Sequence, residues 1–382
     1  MSDSLAALAA ADLLRQPVVV DSAVGPRVLL AGREVVCLCS NDYLSLAADP
    51  AVRDAASRAV ETWGVGAGAS RLVSGTSRLH TELEEALADF KGTPAAIVTT
   101  TGWMANHAAV AALVGKGDLV LCDKLDHASI LDAAKASGAG LRTYGHRDVH
   151  RLDKMLDRYR HRHRRCLVVT DSLFSMDGDV APLGEIVELK NRYDALLMVD
   201  EAHATGVFGP AGRGVAEMLG VEEHVDASVG TLSKAIGGLG GFVAGRRELI
   251  DTIVNTARAY IYTTALPPVM CAAAREALRI IQTQPQRRTR LLEMAEDLRR
   301  RLHTVGFDTG ESSSQIIPIL IGSAGEAMRL SRKLLEAGYL VPAIRPPTVP
   351  RGGSRLRVSL CSSHNQGDLE RFVGALTVAA TT

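Results

Sequence analysis

The sequence has no surplus of charge. Its 43 Lys and Arg balance 43 Asp and Glu over 382 residues, so no global field draws it toward nucleic acid or an anionic membrane. No apolar run approaches the roughly 18 residues of a membrane span. The stretch 1–14 leans apolar but carries Asp3 and Asp12 and no basic leader, which argues against a secretory signal. The six cysteines, at 37, 39, 122, 166, 271 and 361, include no Cys-x-x-Cys pair and sit mostly in strand-like apolar runs. They read as reduced, buried thiols of a cytoplasmic protein, not as a disulfide framework or a zinc site. Internal repeats and low-complexity tracts are missing too. The Gly115-Lys116 pair lacks the upstream glycine and trailing hydroxyl of a phosphate loop, which removes an NTPase, and the glycines at 64–68 follow a helix where a dinucleotide fingerprint would follow a strand.

What is present is a chain 47% hydrophobic and long enough for about two domains. Short β-branched runs at Ala95–Thr99, 119–122, 141–144, 167–170, Leu196–Asp200, 227–230 and 241–244 alternate with helical patterns at 106–114, 129–137, 152–159 and 183–193. That alternation predicts an α/β fold, a mostly parallel sheet with helices on both faces. Runs 227–230 and 241–244 leave no room for a helical crossover, so one of them is expected to be antiparallel or paired elsewhere. After Pro267-Pro268 a long helical stretch to about 303, broken near 283–285, leads to a strand at 316–321, a helix at 325–336, a Pro-rich bend at 342–350, a strand at 355–359 and a last helix. The expected division is an N-terminal segment over 1–45 (a helix and a short β pair), a large domain over 46–267 and a small α+β domain over 268–382. The basic run 158–165, RYRHRHRR, reads as a solvated helix end.

Open α/β sheets bind ligands outside the carboxyl ends of their strands. Five ends here carry polar groups: Thr100-Thr101-Gly102-Trp103, Asp123 to Ser129, Asp171 to Ser175, Asp200 to His203, and Thr231 to Lys234. Lysine is rare, eight against thirty-five arginines. Seven of the eight are expected to be solvated charges in loops or on polar helical faces. Lys234 differs: it follows a strand, sits beside Thr231 and Ser233, and precedes glycines that permit close backbone approach. A lysine held in a crevice can form an imine with a carbonyl. Pyridoxal phosphate asks a protein for such an amine, for a carboxylate at its pyridine nitrogen, for a flat stacking partner and for phosphate donors. Lys234, Asp200, His127 and the Thr-Gly-Trp turn with Thr231 answer those needs in turn, and His203 can donate toward the ring phenolate. A metal-dependent hydrolase built on Asp200, His203, Asp177 and Asp179 lacks a third nitrogen at ligand spacing and leaves Lys234 without a task. A non-catalytic protein that merely keeps the fold would not need the full set of ring contacts.

These motifs resemble those of the α-oxoamine synthases, pyridoxal-phosphate enzymes of the fold-type I, aspartate aminotransferase-like superfamily. The resemblance runs nearly end to end, through Ser40-Asn41-Asp42-Tyr43-Leu44, the segment 66–75 (GAGASRLVSG), Asp126-His127-Ala128-Ser129, Phe174-Ser175-Met176-Asp177-Gly178-Asp179, Val199-Asp200-Glu201-Ala202-His203 and Thr231-Leu232-Ser233-Lys234. It implies that the large domain binds the cofactor through Gly102, Trp103, His127, Ser175, Asp200, His203, Thr231 and Lys234, with Thr263 and Thr264 reaching a neighbour's site in a homodimer. Lys234, His127 and Asp200 would be the catalytic set, with Lys234 as the base at Cα. Arg357 would grip the amino acid carboxylate with Asn41 nearby, and Arg15 and Thr348 would contact the acyl substrate. The bend Ile344-Arg345-Pro346-Pro347-Thr348-Val349-Pro350 with Arg355-Leu356-Arg357 is most like the branch that joins L-alanine to a pimeloyl thioester, on coenzyme A or an acyl carrier protein, in biotin synthesis. Glycine-using sisters share the lysine, Asp and His motifs and differ in that bend. Two positions depart from the family pattern: Ser45, where glycine is usual, and Trp103, where Phe or Tyr is common.

Overall fold

The computed structural model describes residues 2–381. Numbered along the chain, the strands begin with β1 (Arg27–Leu30) and β2 (Arg33–Cys37). A middle group follows: β3 (Ala95–Thr99), β4 (Leu119–Asp123), β5 (Gly140–Tyr144), β6 (Cys166–Asp171), β7 (Leu196–Asp200), β8 (Ala227–Thr231) and β9 (Gly241–Gly245). The last four are β10 (Ile316–Gly322), β11 (Tyr339–Leu340), β12 (Ala343–Ile344) and β13 (Ser354–Ser359).

The chain folds into two compact units. The larger comprises Asp49–Phe174 and Val180–Pro285 and holds a seven-stranded sheet in the order β3-β9-β8-β7-β6-β4-β5. Strand β9 runs antiparallel to β3 and to β8, while the other pairs are parallel. The segment 232–240 is too short for a crossover, so β9 turns back as its spacing requires. Strands β3, β4, β6 and β9 are buried along their whole length, as expected where helices cover both faces. Every strand of the sheet except β9 therefore presents its carboxyl end at one edge, where the polar strand ends gather.

The helix Gly102–Leu113 positions that edge. Thr101 caps it, its hydroxyl accepting from the Met104 N–H at 3.2 Å. Ala105, Ala108 and Ala109 are fully buried; their small side chains let the helix lie close on the sheet and carry Asn106 inward.

The smaller unit joins residues up to Ala48 with Ser175–Asp179 and the chain from Gln286 onward. This differs from the expected division in three places. The N-terminal β pair is not a separate segment, because β11 pairs in parallel with β2, Tyr339 opposite Val36. The helix Pro268–Thr283 belongs to the larger unit, where it packs on the helices Pro50–Trp63 and Arg78–Lys91. Residues 175–179 leave the larger unit because Asp177 is ion-paired with Arg355 and the Gly178 carbonyl accepts from the Ser313 N–H at 3.1 Å.

Of two further expectations, that for Lys91 fails and that for the basic run holds. Lys91 is buried, not solvated: it is 6% exposed, its ammonium donates to the Arg213 carbonyl, and burial lowers its pKa against the opposing charges of Glu201, Glu222 and Glu217. The basic run closes the helix Val149–Tyr159, with Arg160 and Arg164 paired to Asp194 and Asp118. Its Tyr159 ring is flanked by the guanidinium groups of Arg142, Arg158 and Arg162 at 4.1–6.0 Å.

Candidate active site

In the larger unit the carboxyl ends of β4, β6, β7 and β8 bring most of the expected residues into one polar cluster. Asp200 is buried, and its two oxygens are separately held: Oδ1 accepts from the Ala202 N–H at 2.9 Å and Oδ2 from the Asn106 amide at 2.7 Å. The same Asn106 amide donates to Ser129 Oγ at 2.9 Å, and that hydroxyl lies 2.7 Å from His127 Nδ1. One amide thus links the carboxylate meant for the pyridine nitrogen to the ring meant to stack on it.

His127 is fixed from a second direction. Its backbone N–H donates to Asp171 Oδ2 at 2.8 Å, and the Asp171 N–H donates to Asp126 Oδ1 at 2.8 Å. Asp126 Oδ2 accepts from the Asp123 N–H at 2.9 Å, so this carboxyl group ties the end of β4 to the end of β6. Burial pushes the pKa of Asp171 well up, and the charge of Asp200 adds to the effect. Burial pushes Asp126 up as well, with Asp171 contributing. His127 is shifted down by burial; Asp200 opposes that shift and Lys234 adds to it. The imidazole is therefore neutral at physiological pH, as a stacking partner should be. Lys234 is half-buried, and its charge is felt by both His127 and Asp171. His203 is buried three residues beyond Asp200. The Trp103 ring stands edge-on to His127 at 6.0 Å and stays 44% exposed.

The residues fit a phosphorylated pyridine. At the start of the helix Gly102–Leu113 the N–H groups of Gly102 and Trp103 have no protein partner among the described residues, and the helix dipole adds positive potential there. A Cβ on Gly102 would stand in ordinary contact with Thr231 Oγ1 at 3.5 Å, so the glycine leaves the space before that hydroxyl open. Thr231 Oγ1 itself lies 2.7 Å from Ser233 Oγ. Thr263 and Thr264 are not part of this cluster. Thr264 instead bridges to Ser70, and the Ala265 N–H donates to the Ala69 carbonyl at 2.9 Å.

The smaller unit holds the residues expected to meet substrate, as two pairs. Arg357, buried on β13, donates from Nε to the Ser175 carbonyl at 2.6 Å and from Nη1 to Ser359 Oγ at 2.7 Å. Asn41 Oδ1 lies 3.4 and 3.5 Å from its two terminal nitrogens and accepts from the Tyr43 hydroxyl at 3.1 Å. Four of the five guanidinium N–H groups are used in these contacts, the two to Asn41 at the long limit, so one free N–H and the pair on Asn41 are what a carboxylate could take. Ser175, expected at the cofactor, supplies its carbonyl to Arg357. The second pair is Arg15, whose Nη2 donates to Thr348 Oγ1 at 3.3 Å and to the Pro346 carbonyl at 3.4 Å. Asp177, a ligand in the metal reading, is occupied by Arg355.

Sequence reasoning did not single out Asn106. It reads as one polar residue in an alanine-rich helix, and its sole signal is its place four residues after Gly102, on the face that Ala105 and Ala109 bury.

The aminotransferase class I and II family model matches residues 33–376. The 8-amino-7-oxononanoate synthase of Geobacter sulfurreducens is 50% identical over 92% of this chain and 90% of its own length, and that of Geotalea daltonii 46% identical over 98% and 96%. Among solved structures, Sphingomonas wittichii serine palmitoyltransferase is similar with a TM-score of 0.94 at 35% identity, covering 100% of this chain and 96% of its own. The 8-amino-7-oxononanoate synthase of Francisella tularensis is similar with a TM-score of 0.78 at 28% identity, over 91% and 98%. One serine palmitoyltransferase structure, with a TM-score of 0.92 at 36% identity, covering 96% of this chain and 92% of its own, carries pyridoxal phosphate as an internal aldimine. With its lysine, carboxylate and histidine set out at the strand ends of one mixed sheet, this chain belongs to the pyridoxal-phosphate-dependent class I and II aminotransferase family, among the 8-amino-7-oxononanoate synthases.

Proposed function

We propose that the chain is an acyltransferase that condenses L-alanine with a pimeloyl thioester, on coenzyme A or a carrier protein, giving 8-amino-7-oxononanoate, CO2 and the free thiol for biotin synthesis. What carries this reading is the 50% identity with a synthase of that name over 92% of the chain, in a sequence that has Lys234, Asp200 and Arg357. When bound, pyridoxal phosphate supplies an electron sink for charge that develops at the amino acid Cα.

The rest falls to side chains. Lys234 would hold the cofactor through its amine, and that amine, when free, would take the Cα proton and return one at the end. Asp200, braced by Asn106, holds a proton at the pyridine nitrogen, and His203 donates toward the ring oxygen. His127 would cover one face, kept neutral by burial and oriented by Ser129 and Asp171. Gly102, Trp103, Ser175 and Thr231 serve the cofactor, with Thr263 and Thr264 supplied by the other subunit of a homodimer. Arg357 clamps the alanine carboxylate until it departs as CO2, its fork steadied by Asn41. Arg15 and Thr348 meet the acyl chain. Among the described residues no helix is long and apolar enough to cross a membrane.

The test is the yellow imine absorption of purified protein and its change on adding L-alanine. Lys234→Ala should lose that band and all turnover. Thiol release from pimeloyl thioester should be fastest with L-alanine, ahead of glycine and L-serine. Full turnover by Lys234→Ala, or a preference for glycine or serine, would overturn the reading.

A further inference from the structure

Two thiols of the smaller unit have no part in this chemistry. Cys37 ends β2, Cys39 follows two residues later, and their Sγ atoms are 3.7 Å apart. The other cysteines sit in different company. Burial pushes Cys166 and Cys271 up to about 12 and Cys122 well above its ordinary value, and Cys361 contacts His364 Nδ1 at 3.4 Å. Cys37 is held down at about 6, chiefly by the Cys39 thiol and also by the N–H groups of Cys39 and Ser40, while Cys39 is raised by the same contact. The two sulfurs lie within hydrogen-bonding distance of each other, close enough for one thiol to resolve an oxidised form of the other. Cys37 is 7% exposed and Cys39 more so, which gives an oxidant its way in.

What lies on either side of the pair decides its effect. Cys37 is anchored: its N–H donates to the Pro26 carbonyl at 2.8 Å and its carbonyl meets His364 Nε2 at 3.1 Å. Leu38 is pinned on both sides, donating to the Leu340 carbonyl at 3.1 Å and accepting from the Ser359 N–H at 2.8 Å. Cys39 feels the charge of Arg357, and two residues on stands Asn41, whose Oδ1 faces that guanidinium. A disulfide is about 2.05 Å long, so sulfurs now 3.7 Å apart must approach by about 1.7 Å. With residues 37 and 38 held, the displacement falls on residues 39–41.

We propose that Cys37 and Cys39 form a redox dithiol that peroxides close to a disulfide, and that closure weakens the hold of Asn41 on Arg357 and so the grip on the amino acid carboxylate. The Cys37 thiolate attacks one peroxide oxygen and breaks the O–O bond; hydroxide leaves and is protonated to water, and a sulfenic acid remains on Cys37. The Cys39 sulfur then attacks the Cys37 sulfur and expels the second water. Two thiols lose two electrons and two protons, and hydrogen peroxide becomes two waters. The effect on kinetics rests on the reading of Arg357 as the carboxylate clamp; the oxidation itself does not.

The experiment treats holoenzyme with hydrogen peroxide, alkylates the remaining thiols, and follows intact mass, peptide map and kinetics. The expected result is loss of two hydrogens, mapped to the peptide that contains both cysteines and reversed by dithiothreitol. The KM for L-alanine should rise by about tenfold with kcat and the KM for the thioester little changed. Cys37→Ser and Cys39→Ser should keep basal kinetics and lose both responses. Oxygen addition to one cysteine without hydrogen loss, or an unchanged mass, overturns the dithiol. A disulfide that leaves the KM for L-alanine unchanged overturns the coupling, and untreated Arg357→Ala with an unchanged KM for L-alanine overturns the clamp reading alone.

Discussion

Asn106→Leu isolates the one residue that joins Asp200 to Ser129 and, through it, to His127. Leucine has the branched outline of asparagine but is the larger side chain, so no cavity opens and some crowding adds to the loss of hydrogen bonds. The amide donates at 2.7 Å to a carboxylate and at 2.9 Å to a hydroxyl. A bond to a charged group contributes about 1.5–3 kcal/mol and a neutral one about 0.5–1.5 kcal/mol. Asp200 Oδ2 would be left buried without its donor, while Ser129 keeps His127. The sum is a loss of about 2–4.5 kcal/mol in stability. Cofactor affinity should fall too, since Asp200 loses one of its two restraints: a share of about 1.4–2.8 kcal/mol corresponds to a Kd raised 10- to 100-fold. Urea unfolding of the apoprotein and a titration with pyridoxal phosphate, followed at the bound chromophore, measure the two effects. A variant within about 0.5 kcal/mol of the parent, with unchanged cofactor affinity, would refute the bracing role of Asn106.

Other outcomes follow from the same geometry. Arg357→Lys should raise the KM for L-alanine at least about tenfold, because a point charge cannot reproduce a planar fork, and steady-state kinetics will check it. Arg71, buried, makes a two-point contact with Glu84 at 2.8 and 3.1 Å; Arg71→Met leaves that carboxylate unpaired and should cost about 3–5 kcal/mol in denaturant unfolding. Burial holds His80 down at about 4, against an ordinary 6.5, and its Nδ1 already accepts from the Ser77 N–H at 3.2 Å, so a proton there meets a donor. The unfolded chain binds that proton more readily, so this contribution is complete above about pH 6.5 and is lost as pH falls toward 4, on the order of 3 kcal/mol in all; His80→Gln should flatten that part of the stability profile. Gly178 has φ +70°, and a Cβ there would stand 2.0 Å from the Ile316 carbonyl oxygen, so Gly178→Ala should destabilise the smaller unit by more than about 2 kcal/mol in thermal unfolding.

Local pattern carried the larger unit a long way. The runs at Ala95–Thr99 and Leu196–Asp200 are strands with those bounds, because a strand covered by helices on both faces is a continuous apolar run whose ends are set by Gly, Asp and Thr. The reversal at β9 followed from the shortness of 232–240 alone. The smaller unit was less legible: the pairing of β11 with β2 joins residues about three hundred apart, and nothing in a two-residue strand announces its partner. Lys91 sits at the end of a helix of ordinary amphipathic pattern and was read as solvated; its burial depends on Arg213 and three glutamates brought in from distant loops. The cluster residues that stand alone after a strand, Asp200 and Lys234, were visible in the sequence. Asn106, which braces one of them, is set by the packing of alanines against the sheet and has no local mark of its own.

The parallel pairing of β2 with β11 bears on how the molecule is made. During synthesis the first forty residues emerge early and must wait for a partner strand encoded some three hundred codons later, whereas every strand of the seven-membered sheet is already out by then. Closing so long a loop costs entropy that only late contacts repay, so the smaller unit should gain its protection from proteolysis last, once the chain has left the ribosome.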